Sequence, residues 1–234
     1  MQPDEPSETA SKETTPWRVY AAVLSASLLG ALLLRAFVIH AYRIPSGSME
    51  STLLIGDYLL AERLTFGSFV ELPVARKELF RWPPLRRPRR GEVVIFRSWG
   101  DPGTEIVKRC VGLPGDTVEV VDNIVKVNGV ASDPIFQGRF DTTHKVNTED
   151  VFPVSEWRAV ERARNFGPHI VKPGHIFVMG DNRTNSEDSR VHGDVSFEAL
   201  TGRPLFIYWS VNSHSASLNP FDSIRWERIG KRVH

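Results

Sequence analysis

Cysteine is almost missing from this sequence: Cys110 is the one example in 234 residues. No internal disulfide framework can form, and no cysteine-rich zinc site can be built. Net charge is nearly missing too, since 29 Lys and Arg against 28 Asp and Glu leave +1. The chain as a whole therefore has no strong electrostatic pull on nucleic acid. Glycine and proline, at 17 and 16 residues, fall well short of the ~25–30% that marks low-complexity disorder. A folded protein of one or two domains is expected. Seven histidines are scattered along the chain, with no HExxH pair among them.

Long apolar runs are also scarce, but one is present. Val19 to Ile39 contains AAVLSASLLGALLL followed by Arg35, Ala36, Phe37, Val38 and Ile39. About 21 residues of helix span ~31 Å, the thickness of a bilayer's hydrocarbon core. One transmembrane helix within residues 17–40 is predicted, with Arg35 snorkelling near its far end. His40, Tyr42 and Arg43 follow in place of a small-x-small site, so the segment reads as an anchor rather than a cleaved leader. Lys12 and Arg18 before it are matched by Arg35 and Arg43 after it, and the positive-inside rule leaves orientation open. Residues 1–16 have the acidic, aperiodic composition of a disordered tail.

Beyond the anchor, short β-branched or aromatic runs predict strands at Tyr58–Glu62, Glu92–Arg97, Glu105–Val111, Val118–Val121, Ile124–Val127, His175–Met179 and Leu205–Val211. Asp122-Asn123 reads as a hairpin turn and Asn128-Gly129 as a second. The fold class is mainly β: an antiparallel body over residues 41–129 and 173–234, with a strand-poor insertion at 130–172. Within that insertion Ser155–Arg164 reads as a short helix. Residues 76–90 hold seven Lys and Arg against Glu78, interleaved with Trp82, Pro83, Pro84 and Pro88. Such a stretch suits either an anionic leaflet or a stiff solvated loop.

Three segments carry chemistry. PSGSM at Pro45–Met49 is a tight glycine-containing turn, which can present a serine hydroxyl together with its own backbone N–H for acyl transfer. A base is required. His192 with Asp188 or Asp194 would make a triad, but no motif ties these residues to the serines. Lys108 is the better candidate, because strand alternation puts Ile106, Lys108 and Cys110 on one face and Val107, Arg109 and Val111 on the other. Apolar neighbours disfavour an ammonium, and lowering a lysine from about 10.4 to about 8 takes ~3 kcal/mol. The third segment, GDNRTNSEDSRVHG at Gly180–Gly193, is rich in turn formers and charges that can pair locally. An EF-hand is excluded there, since Arg183 and His192 fall on ligand positions.

Taken in order, IPSGSMESTLLIGDYLL, RRGEVVIF, IVKRCVGLPGDTVEV and GDNRTNSEDSRVHGDV resemble the type I signal peptidases, membrane-anchored Ser/Lys proteases. The resemblance implies Ser48 as nucleophile and Lys108 as general base. It implies Ser46 as a side-chain oxyanion donor beside the Ser48 N–H, and Ser186 as the hydroxyl that orients the lysine. Arg109, Asp181, Arg183, Asp188 and Arg190 match charged residues that support the site. No metal or cofactor is implied. The implied substrates are preprotein signal peptides with small residues before the cut. The implied setting is a lipid bilayer near the secretion translocon, with a cytoplasmic N-terminus, an extracytoplasmic body and no nucleic-acid partner. Apolar positions around Ile44, Met49 and Leu53 are expected to line the substrate pockets. Ser51 departs from the family, which has proline there. Two other readings are a self-cleaving repressor protease, which would need a DNA-binding domain where the apolar helix stands, and a catalytically silent membrane-anchored scaffold.

Overall fold

The computed structural model describes residues 16–37, 39–67, 69–71, 78–81, 83–122, 124–131, 165–212 and 220–234. The predicted helix at Ser155–Arg164 lies outside them. Helix α1 runs Pro16–Phe37. It ends before the apolar run does, because Ile39–Arg43 is already a strand, β1, paired to Asp57–Glu62, β2. Among the described residues no helix is long and apolar enough to cross a membrane.

The body is β, and every described pairing between strands is antiparallel. The remaining strands are β3 (Phe69–Glu71), β4 (Glu78–Arg81), β5 (Val93–Arg97), β6 (Glu105–Gly112), β7 (Thr117–Val121), β8 (Ile124–Val127), β9 (Val130–Ala131), β10 (Phe166–Ile170), β11 (His175–Met179), β12 (Val195–Ser196) and β13 (Leu200–Ser210). Seven form one sheet in the order β1-β2-β13-β5-β6-β11-β12. A second sheet has the order β10-β7-β8-β9, and β3 pairs with β4. All seven predicted strands are present. Val121 pairs with Ile124 and Val127 with Val130, so both predicted turns are two-residue hairpin connections. Asn128 and Gly129 have φ of 55° and 77°, the two positive values a type I′ turn requires. The segment read as strand-poor contributes β9 and β10, so its described ends belong to the smaller sheet.

Alternation along the central strands distributes side chains to two faces. Val94, Phe96, Cys110, Ile176 and Val178 enter one cluster, with Ile106 packed against it. Val111, Phe177 and Met179 enter a second with Val118, Val120 and Val125 of the smaller sheet. Ile44, Met49, Leu53, Leu59, Val93 and Ile207 make a third. The middle of the large sheet is thus covered on both faces, which is why charged residues of β6 end up inside. The described part of the basic stretch is tied down by local partners: Arg86 grips Glu92, Arg90 grips Asp116, and Arg87 lies over the Phe197 ring.

Candidate active site

Residues 47–49 form a 3-10 turn entered from extended Ser46. Met49, 2% exposed, anchors the turn in the third cluster. Ser48 reaches the opposite way, and its Oγ accepts a hydrogen bond of 2.7 Å from Lys108 Nζ. Lys108 is 3% exposed. Burial pushes its amine down to about 8, with Asp188 pulling upward and Arg190 adding to the fall. A lysine so shifted is about half neutral at pH 8, where an ordinary lysine is almost wholly charged, and its neutral form can take a proton from a hydroxyl at that distance. The Ser46 side chain makes no capping bond to the turn.

Arg109, the next residue of β6, is equally buried and treated differently. Its Nε and Nη2 donate to the two oxygens of Asp181 at 2.7 and 2.6 Å. Nη1 donates to the carbonyls of Gly91 and His234, and Nη2 also reaches Thr52 Oγ1 at 3.0 Å. Thr52 in turn donates to Asp181 at 2.6 Å. The nucleophile turn, β6 and the loop after β11 are therefore laced together by one buried ion pair and one hydroxyl.

That loop closes the site. Asn182 N donates to the Ser48 carbonyl at 3.0 Å, and Gly180 packs so tightly that a Cβ there would come within 2.5 Å of the same oxygen. Asp188 caps the short helix α2, Ser189–His192. Its carboxylate accepts from Arg190 Nε and Nη2 at 2.9 and 2.8 Å, from Gly180 N at 3.0 Å and from Ser186 Oγ at 2.9 Å. Burial alone would raise the Asp188 carboxyl, but these bonds, chiefly from Arg190, hold it below the usual carboxylate range. Arg183 is fully buried with Nε on the Gly180 carbonyl, and burial next to Arg190 lowers it to about 10.

A buried amine, a turn serine and a carboxylate-braced loop meet at one place. The family model described as "Signal peptidase, peptidase S26" matches residues 17–209. The chain belongs to that family. It is similar to signal peptidase I of Rickettsia typhi, 30% identical over 82% of this chain and 85% of the relative. It is also similar to signal peptidase I of Pseudomonas fluorescens, 35% identical over 67% of this chain and 56% of that protein. A solved signal peptidase I from Enterococcus faecalis matches 51% of this chain and 98% of its own at 27% identity, with a TM-score of 0.36. By family the chain is a serine endopeptidase.

Against the family pattern, the substitution at Ser51 has a structural counterpart. Thr52 N bonds the Met49 carbonyl at 3.1 Å, Glu50 has φ −56° and ψ 144°, and Ser51 has φ 90°. This is a type II turn with Ser51 at the position that needs positive φ. Proline, fixed near −65°, cannot make it.

The histidine triad does not assemble. His192 stacks on Trp99 and contacts Glu187, while Asp194 is held by His169 and by Lys172 N. Ile44, Met49 and Leu53 are 4%, 2% and 0% exposed, so they brace the turn from inside the core and offer no surface to a substrate. Sequence reasoning passed over Thr52, Asp57 and Arg228. Arg228 Nη2 donates to the Thr52 carbonyl and to Asp57 Oδ2, and Ser210 bonds Asp57 Oδ1 at 2.7 Å, bracing the far end of the nucleophile turn.

Proposed function

We propose that this chain is a membrane-anchored endopeptidase that removes N-terminal signal peptides from exported preproteins through a Ser48/Lys108 dyad. The observation that carries the reading is the 2.7 Å contact between Ser48 Oγ and a buried Lys108 amine lowered to about 8. Neutral Lys108 takes the Ser48 proton as Oγ attacks the scissile carbonyl. The oxyanion is held by Ser48 N–H and the Ser46 hydroxyl. Lys108 then gives its proton to the leaving amine, producing an acyl-enzyme and the mature chain. Water, deprotonated by the same lysine, attacks the ester, and the proton returns to Ser48 Oγ as the signal peptide leaves as a carboxylate. Ser186 Oγ, whose O–H donates a hydrogen bond to Asp188, keeps lone pairs with which to orient the Lys108 amine. Arg109, Asp181, Arg183, Asp188 and Arg190 hold this geometry without taking part in bond making.

The anchor reading rests on α1. By itself it falls short of a membrane-crossing helix, but it carries Val19–Phe37 of the apolar run, and Leu24, Leu28 and Leu29 are 70%, 63% and 58% exposed. Hydrocarbon would cover what the β body leaves bare. In this reading the N-terminus is cytoplasmic and the body faces the side where preproteins emerge, near the translocon.

The test is cleavage of a preprotein bearing an Ala-x-Ala site by the detergent-solubilised full chain, beside Ser48→Ala and Lys108→Ala. Cutting after the second alanine by the native chain, abolished in both variants, is the expected result. A native rate in Lys108→Ala would overturn the dyad.

A further inference from the structure

The buried acidic side chains near the site are matched by arginine, Asp181 by Arg109, Asp188 by Arg190 and Asp57 by Arg228, and exposed Glu187 of the site loop lies against His192. Glu50, two residues from Ser48, breaks this pattern. Its Oε2 accepts one hydrogen bond, from Asn182 Nδ2 at 3.3 Å, and among the described residues no cation lies within ion-pair distance of it. Its Oε1 stands 2.9 Å from where a Cβ on Gly47 would be. Gly47 lies between Ser46 and Ser48, so the carboxylate stands against the backbone of the nucleophile turn. It is half-buried, so its field is only partly screened by water.

We infer that Glu50 is a specificity-determining residue that favours substrates carrying Lys or Arg next to the scissile bond and disfavours those carrying Asp or Glu there. This deepens the proposed cleavage and rests on it. An unneutralised carboxylate attracts a cationic side chain and repels an acidic one. Both effects act on substrate charge, and neither alters the Ser48–Lys108 contact. Discrimination of about threefold to tenfold is expected from one partly screened charge pair.

The test uses the full-length chain in detergent at low ionic strength. The substrates are peptides with an Ala-x-Ala site, carrying Lys, Gln or Glu in turn at x and at each of the first two positions after the cut. The readout is the Lys-to-Glu ratio of kcat/KM at each position, for native chain, Glu50→Gln and Glu50→Lys. At one or more positions the native ratio is expected to be about threefold to tenfold, to collapse toward unity in Glu50→Gln, to reverse in Glu50→Lys, and to weaken with salt. A ratio near unity everywhere in the native chain, or one that survives Glu50→Gln, overturns the inference and leaves the peptidase reading intact. Failure of the native chain to cut any peptide or preprotein overturns both.

Discussion

Lys108 and Arg109 are neighbours on one strand, point to opposite faces, and are 3% and 2% exposed. Arg109 meets a carboxylate with both arms of its fork, two carbonyls and a hydroxyl. Lys108 meets one neutral hydroxyl. A guanidinium with five donors is well served by the first environment and would be ruinous in the second. An ammonium deprived of a carboxylate partner gives up its proton more easily, and that is the property a base needs. Burial alone therefore does not mark a reactive residue. Burial without a matching counter-charge does.

The largest effect that would sharpen this contrast is on rate. Lys108→Met is expected to lower kcat/KM roughly a thousandfold while leaving the melting temperature equal or higher, because a poorly solvated cation has been removed. A large loss of stability would place Lys108 with Arg109 as a structural residue. Next, Asp181→Ala strands the Arg109 charge and is expected to cost about 3–5 kcal/mol in denaturant unfolding; a loss under 1 kcal/mol would mean that the carbonyls alone suffice.

A third test is proton linkage. Between about 8 and the ordinary lysine value of 10.5, the unfolded chain holds a proton on residue 108 that the folded chain has shed. Stability attributable to Lys108 therefore rises with pH across that window, by about 3 kcal/mol in all. The difference between native and Lys108→Met unfolding curves should show it, and parallel curves would contradict it. Smallest, Thr52→Val removes one hydroxyl from the Arg109–Asp181 pair and should cost about 1 kcal/mol.

Much of this was legible in the residues. The alternation Ile106-Lys108-Cys110 put Lys108 beside apolar neighbours, and the glycine-flanked Ser48 stood out as a turn serine. Alternation put Arg109 on the face opposite Lys108, and because the sheet is covered on both faces that set of side chains is buried as well. Asp57–Arg228 and Thr52–Asp181 join positions 171 and 129 residues apart, and such contacts leave no local signature. Strand β10 was hidden by Gly167-Pro168 within FGPHI, a composition tolerated because the strand lies at a sheet edge with a break in register. The positive φ of Ser51 was unreadable, since serine rarely adopts it.

The most direct test of the central claim is the pH dependence of kcat/KM for the native chain on a neutral peptide with an Ala-x-Ala site. Activity should rise with pH along a single limb with an apparent pKa near 8, the value to which burial brings Lys108, and Lys108→Ala should lack that limb. A limb near 6.5, the ordinary range of histidine, or one retained in Lys108→Ala, would contradict the account.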